Sequence, residues 1–148
     1  MSSTHKRLKG LLAVVIAGAF VFAAAQPVAA ATEPDTITAQ VNSDRAAQGL
    51  GALARNSALD AVAAAWAAQM GAAGVLSHNP SVVAQVPAGS TLTGENVAYG
   101  QPTGTAMETA WLASAPHRAN ILGDYTDIGV AFVTAGGTTW GVQVFAKY

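Results

Sequence analysis

The apolar residues of the chain follow two periods. Leu59, Val62, Ala63, Trp66 and Met70 fall at i, i+3, i+4, i+7 and i+11, the spacing of one face of an α-helix. Asn56 and Ser57 supply its cap, Gly71 and Gly74 close it, and the stripe is read as core with Trp66 as a packed anchor. A helix before it is predicted from about Ile37 to Gln48, capped by Asp35 or Thr36 and ended by Gly49 and Gly51. A third is predicted from about Thr103 to Ser114, with Met107, Ala110 and Trp111 inward. Further on the period becomes two. Ile128, Val130 and Phe132 share one face of a strand over Asp127 to Thr134, and Trp140, Val142 and Val144 share one face of a strand over Thr138 to Phe145. Ala135-Gly136-Gly137 between them is a hairpin signal, so the two strands are expected to pair antiparallel. Helices first and strands last predict an α+β domain with helices packed on a small sheet.

Two stretches escape both periods. VLSHNPSVVAQVPAGSTLTGENVAYGQPTG carries four glycines and three prolines over about thirty residues, and a connection this long inside a compact domain is usually functional. In WLASAPHRANIL, Pro116 disfavours helical geometry at Ala115, so the chain turns and a short helix restarts. Ser114 is its expected N-cap, Pro116 falls in the first turn, and Gly123 is the expected stop. His117 is thereby placed at a chain reversal, where functional side chains concentrate.

Composition changes this picture at the N-terminus. The sequence of 148 residues is 51% hydrophobic, and the excess sits early: Lys6, Arg7 and Lys9, then an apolar run from Leu11 to Phe22, then small residues around AAAQPVAAAT. This is the form of a secretory signal peptide, and the run is short for a bilayer span. Cleavage after Ala30 fits best, giving a signal peptide over 1–30, a polar lead-in over 31–36 and a domain over 37–148. The remaining chain carries four basic and eight acidic residues, a net charge of −4, which argues against nucleic acid as a partner. It has no cysteine, so neither disulfides nor a catalytic thiol contribute, as expected for an exported bacterial protein held by packing alone.

Beyond residue 30 the candidate chemistry is sparse. His78 and His117 are the only histidines there, and Glu95 lies between them at separations of 17 and 22 residues. If the three converge, two imidazoles and a carboxylate suit a divalent metal such as zinc, with a position left for water or substrate. The spacing matches no local zinc motif. Ser114 three residues before His117 offers a nucleophile, but without a glycine elbow and with a capping role already assigned. A structural alternative has the three residues as a buried polar network that holds the long connection.

The combination of VNSDRAAQGLGAL, LDAVAAAWAAQM, SHNP, GENVAYG, WLASAPHRANIL and DIGVAF followed by WGVQVF resembles the CAP superfamily, or SCP-like domains, in its bacterial form. That superfamily includes cysteine-rich secretory proteins, antigen 5 and pathogenesis-related type 1 proteins. The resemblance implies an α-β-α sandwich with a central antiparallel sheet flanked by helices. It also implies a cleft built from His78, Glu95 and His117. Many relatives have a second glutamate where this chain has Ser114, which leaves Ser114 as a neutral fourth member. Glu108 is six residues away, about 120° around the helix, and is expected to face solvent.

Two functions follow. One is a secreted, monomeric binding module, extracellular or held at the cell wall, whose cleft takes a metal ion, a lipid or a peptide-like ligand; the resemblance brings in lipid and sterol binding and extracellular interaction. It requires no cofactor. The other is a zinc-dependent hydrolase acting on extracellular peptide or cell-wall material, with His78 and His117 as ligands and Glu95 as a third ligand or general base. The absence of an established catalytic motif favours the binding module.

Overall fold

The computed structural model describes residues 30–148, and residues 1–29, the bulk of the expected signal peptide, lie outside them. The chain runs α1 (Glu33–Ala47), β1 (Ala54–Arg55), α2 (Ser57–Ala73), α3 (Val82–Gln85), β2 (Leu92–Tyr99), α4 (Gly104–Ala113), α5 (Ala115–Ile121), β3 (Asp127–Ala135) and β4 (Thr138–Lys147). The sheet order is β1-β3-β4-β2. β3 and β4 pair antiparallel as expected, β2 pairs antiparallel with the other side of β4, and the two residues of β1 run parallel to β3. Gly136 and Gly137 take the left-handed conformations, φ 60° and 78°, that a tight β3–β4 turn demands.

Both faces of this sheet are covered, which makes it the middle of a sandwich. On one face Leu59, Ala63, Ala67 and Met70 of α2 pack against Val97, Ala131, Trp140, Val142 and Val144. On the other, Ile37 and Val41 of α1, Met107 and Trp111 of α4 and Ile121 of α5 pack against Ile128, Val130 and Phe145. Double coverage explains why β4 is buried without interruption from Trp140 to Ala146.

Several boundaries differ from the sequence reading. α1 starts earlier, because Thr32 forms a capping box with Asp35: its hydroxyl accepts the Asp35 N–H, and the Asp35 carboxylate accepts the Thr32 N–H. The expected polar lead-in is therefore the cap and first turn of a helix. Gly71 lies inside α2, pressed against Ala135 and Trp140, and only Gly74, at φ 66°, ends it. Ala110 is exposed. The largest difference is β2, a full strand within the stretch read as aperiodic connection. Its inner residues Glu95, Asn96 and Val97 are all buried, so a strand between two layers shows no alternation to read.

Two features fix the frame around the site. Gly129 lets the first turn of α2 approach β3 so closely that a Cβ there would lie 2.1 Å from the Leu59 carbonyl carbon. The buried Arg45 donates to the carbonyls of Gly51, Ile121 and Gly123 at 2.8 to 2.9 Å, tying α1 to the end of the helix that carries His117.

Candidate functional site

Glu95 projects from β2 and is the best-anchored member of the predicted set. Its Oε1 accepts the Asn79 N–H at 2.9 Å and lies 2.7 Å from His78 Nδ1, while its buried Oε2 has no partner among the described residues. The His78 ring is exposed. The loop that carries it is pinned from both sides, because Trp66 Nε1 donates to the Ser77 carbonyl at 2.7 Å and Asn79 bonds Gln85 and the Ser81 N–H. Trp66 is thus an anchor, as read, with its indole N–H as the polar handle.

His117 is the third residue of α5. Burial lowers its pKa first, and the nearby charge of His78 lowers it further, so the imidazole is held toward the neutral form. Ser114 does sit at the N-cap of α5, but its side chain makes no capping bond; its carbonyl accepts the Arg118 N–H instead. The Ser114 hydroxyl has no hydrogen bond to His117 or to any other group among the described residues, so no nucleophile-base pair is formed.

The four predicted residues therefore divide in two. Ser114 and His117 line a groove of about 260 Å³ whose other walls include Leu76, Val97, Tyr99 and Trp111. His78 and Glu95 form a hydrogen-bonded pair outside that groove, with His78 close enough to act on His117. No group of three His, Cys, Asp or Glu side chains among the described residues converges to hold a metal. Two imidazoles and a carboxylate are donor types that zinc takes, but they are not drawn into one set in this arrangement. Two other hollows, of about 230 and 490 Å³, contain no histidine.

Behind the site lies a chain of carboxamides that the sequence did not reveal. Asn96 Nδ2 donates to Gln143 Oε1 at 2.9 Å and to the His117 carbonyl at 3.1 Å. Asn120 Nδ2 donates to Asn96 Oδ1 at 2.8 Å and to the Glu95 carbonyl at 3.0 Å. Gln143 Nε2 donates to Glu108 Oε2. These bonds hold the backbone of both Glu95 and His117. Glu108, expected to face solvent, is fully buried at the root of this chain. Burial pushes its carboxyl up, the Gln143 bond opposes the shift and the charge of Asp44 adds to it, for a net value of about 8. A sequence signal for this did exist: Gly104, Met107, Glu108 and Trp111 fall at i, i+3, i+4 and i+7, and all four are buried.

The fold and the paired histidine motifs define a class. The family model for the cysteine-rich secretory protein family, CAP, matches residues 38–145, and the chain belongs to that family. An extracellular protein of Bacillus anthracis containing an SCP domain is similar in structure, with a TM-score of 0.71 and 26% identity over 78% of this chain and 40% of that one. An outer surface protein of Borrelia burgdorferi shares the fold at a TM-score of 0.71 and 20% identity, covering 78% of this chain and 92% of that one. The uncharacterized protein YkwD of Bacillus subtilis is 44% identical over 55 residues, 36% of this chain and 21% of its own length. This chain thus matches only a fifth of that relative. No helix among the described residues is long and apolar enough to cross a membrane.

Proposed function

We propose that the chain is an exported CAP-domain binding module whose groove beside His117 takes a small lipid or peptide-like ligand. The observation that carries this reading is the groove itself: apolar walls from Leu76, Val97, Tyr99 and Trp111, with the imidazole of His117 and the hydroxyl of Ser114 as polar groups. Such a lining, mostly apolar with a few convergent polar groups, is the usual form of a ligand site. The exposed Tyr99 and Leu76 give the mouth an apolar rim. Export is supported by the leader-like sequence of residues 1–30. Glu95 supports binding over catalysis, because its Oε1 is committed to His78 and to a backbone amide.

The test is an NMR titration of the protein with lauric acid and, separately, with blocked tetrapeptides. Shifts confined to Val97, Tyr99, Trp111 and His117 are expected with at least one probe. Silence at those residues with both would remove the reading.

The zinc-dependent hydrolase reading has one observation in its favour, the buried and unpartnered Oε2 of Glu95 beside His78. Calorimetric titration of zinc into the parent and into a folded His117→Ala variant decides it. Micromolar binding lost in the variant supports a metal site, and no binding by the parent sinks the hydrolase.

A further inference from the structure

β2 is an edge strand, and the register determines which of its backbone groups are engaged. Gly100 N–H donates to the Thr139 carbonyl at 2.9 Å, and the pairing runs back in step through Ala98 with Gly141 and Asn96 with Gln143. Alternate residues of an edge strand point their N–H and C=O away from the sheet, and here those residues are Thr93, Glu95, Val97 and Tyr99. The Glu95 carbonyl is taken by Asn120. By that register the N–H and C=O of Val97 point away from β4, and no side chain and no backbone group outside the sheet bonds them among the described residues, although Val97 is 6% exposed and lies in the groove. Gln101 Oε1 and Trp111 Nε1, on two further groove residues, are likewise buried without partners.

We propose that the groove receives an extended peptide that adds to the sheet beside β2, its backbone pairing with both the N–H and the C=O of Val97. This deepens the binding function proposed above and rests on it. The choice of occupant follows from donor and acceptor complementarity. A hydrocarbon chain would seal the groove and leave Val97 and Gln101 unpaired, at the cost of a buried unsatisfied polar group each. An extended peptide presents an N–H and a C=O together at every second residue, the pattern an edge strand lacks. Its side chains on either side of the paired residue would then alternate between the two faces of the sheet, toward Tyr99, stacked on Trp140, on one and toward Trp111 on the other. The site is short. Asn120 closes the edge at Glu95, and Gly100, at φ 89°, turns the chain away after Tyr99. About three or four residues of peptide fill that span.

The test uses blocked tetrapeptides varied at the two central positions, together with versions N-methylated at each central amide in turn. Binding is expected to slow hydrogen exchange of the Val97 amide at least tenfold. Methylation of one central amide, the inward one, is expected to weaken binding tenfold or more while methylation of its neighbour is tolerated. Equal binding of both methylated forms, or bound peptide that leaves Val97 exchange unchanged, overturns the proposal. Lauric acid separates the two levels: if it binds and no peptide does, the groove is a ligand site but not a strand acceptor, and if neither binds both readings fall.

Discussion

The two edges of the sheet receive opposite treatment. Along the β3 edge, the outward carbonyls of Thr126, just before the strand, and Ile128 accept from Ala54, the first residue of β1, and Asn56, the residue after β1. Where β1 stops, side chains take over: Asp60 Oδ1 accepts the Val130 N–H at 2.8 Å and Arg55 Nη2 donates to the Val130 carbonyl at 3.3 Å. Along β2, Asn120 covers Glu95 and then the capping ends, leaving Val97 open. An uncovered strand edge is an aggregation liability that proteins usually suppress. The chain suppresses it on one side with dedicated side chains and keeps a short, recessed gap on the other. A gap of this length, set between α5 and the β2 end, admits a few residues of peptide but not the long flat edge of another sheet.

The contrast can be sharpened first from behind the open edge. Glu108 is protonated in the folded state up to about pH 8 and ionises near 4.5 when unfolded. Between those values the folded state holds a proton that the unfolded state releases, so stability is fully present below 4.5 and falls as pH rises toward 8. A Glu108→Gln variant removes this loss. Relative to the parent it should gain ~1.4 kcal/mol per pH unit across the window, about 4 kcal/mol by pH 8, and level off above. Urea denaturation of both proteins from pH 4 to 9 checks this, and parallel pH profiles would contradict it.

Breaking the sealed edge is the next largest effect. Asp60→Ala strips the Val130 N–H and the Arg55 guanidinium of a partner and should cost ~2 kcal/mol. Val130 amide exchange should accelerate in the same variant, toward the faster rate expected of Val97 in the parent. The smallest effect is at the partial cap of the open edge: Asn120→Ala should cost ~1 kcal/mol, since water replaces part of what is lost at the Glu95 carbonyl. If Asn120→Ala proved costlier than Asp60→Ala, the β2 edge would be the sealed one and the comparison would be reversed.

How much of this was legible depended on whether one periodicity operated alone. α2 and the β3–β4 hairpin were readable because each has a clear period bounded by glycine. The histidines and Glu95 were singled out because polar functional groups are rare in this chain. In β2 burial on both faces erases alternation, so its residues look like a connection and only the family resemblance implies a sheet beyond the hairpin. Glu108 lies about 120° from Ser114 on the helical wheel, but Trp111, three residues on, is the neighbour that shares its buried face. The open backbone at Val97 has no sequence signature at all, since it arises from register and from the point where α5 stops covering the strand.

β4 has a position whose consequence is temporal. It follows every other described element along the chain yet lies between β3 and β2, and both of those strands pair through it. A ribosome releasing the chain from its N-terminal side therefore delivers helices and two strands not yet joined through a partner before the one that unites them. Of the pairings in the sheet, only the two-residue contact of β1 with β3 is available until then. The nascent domain must remain without its sheet until nearly all of it has emerged.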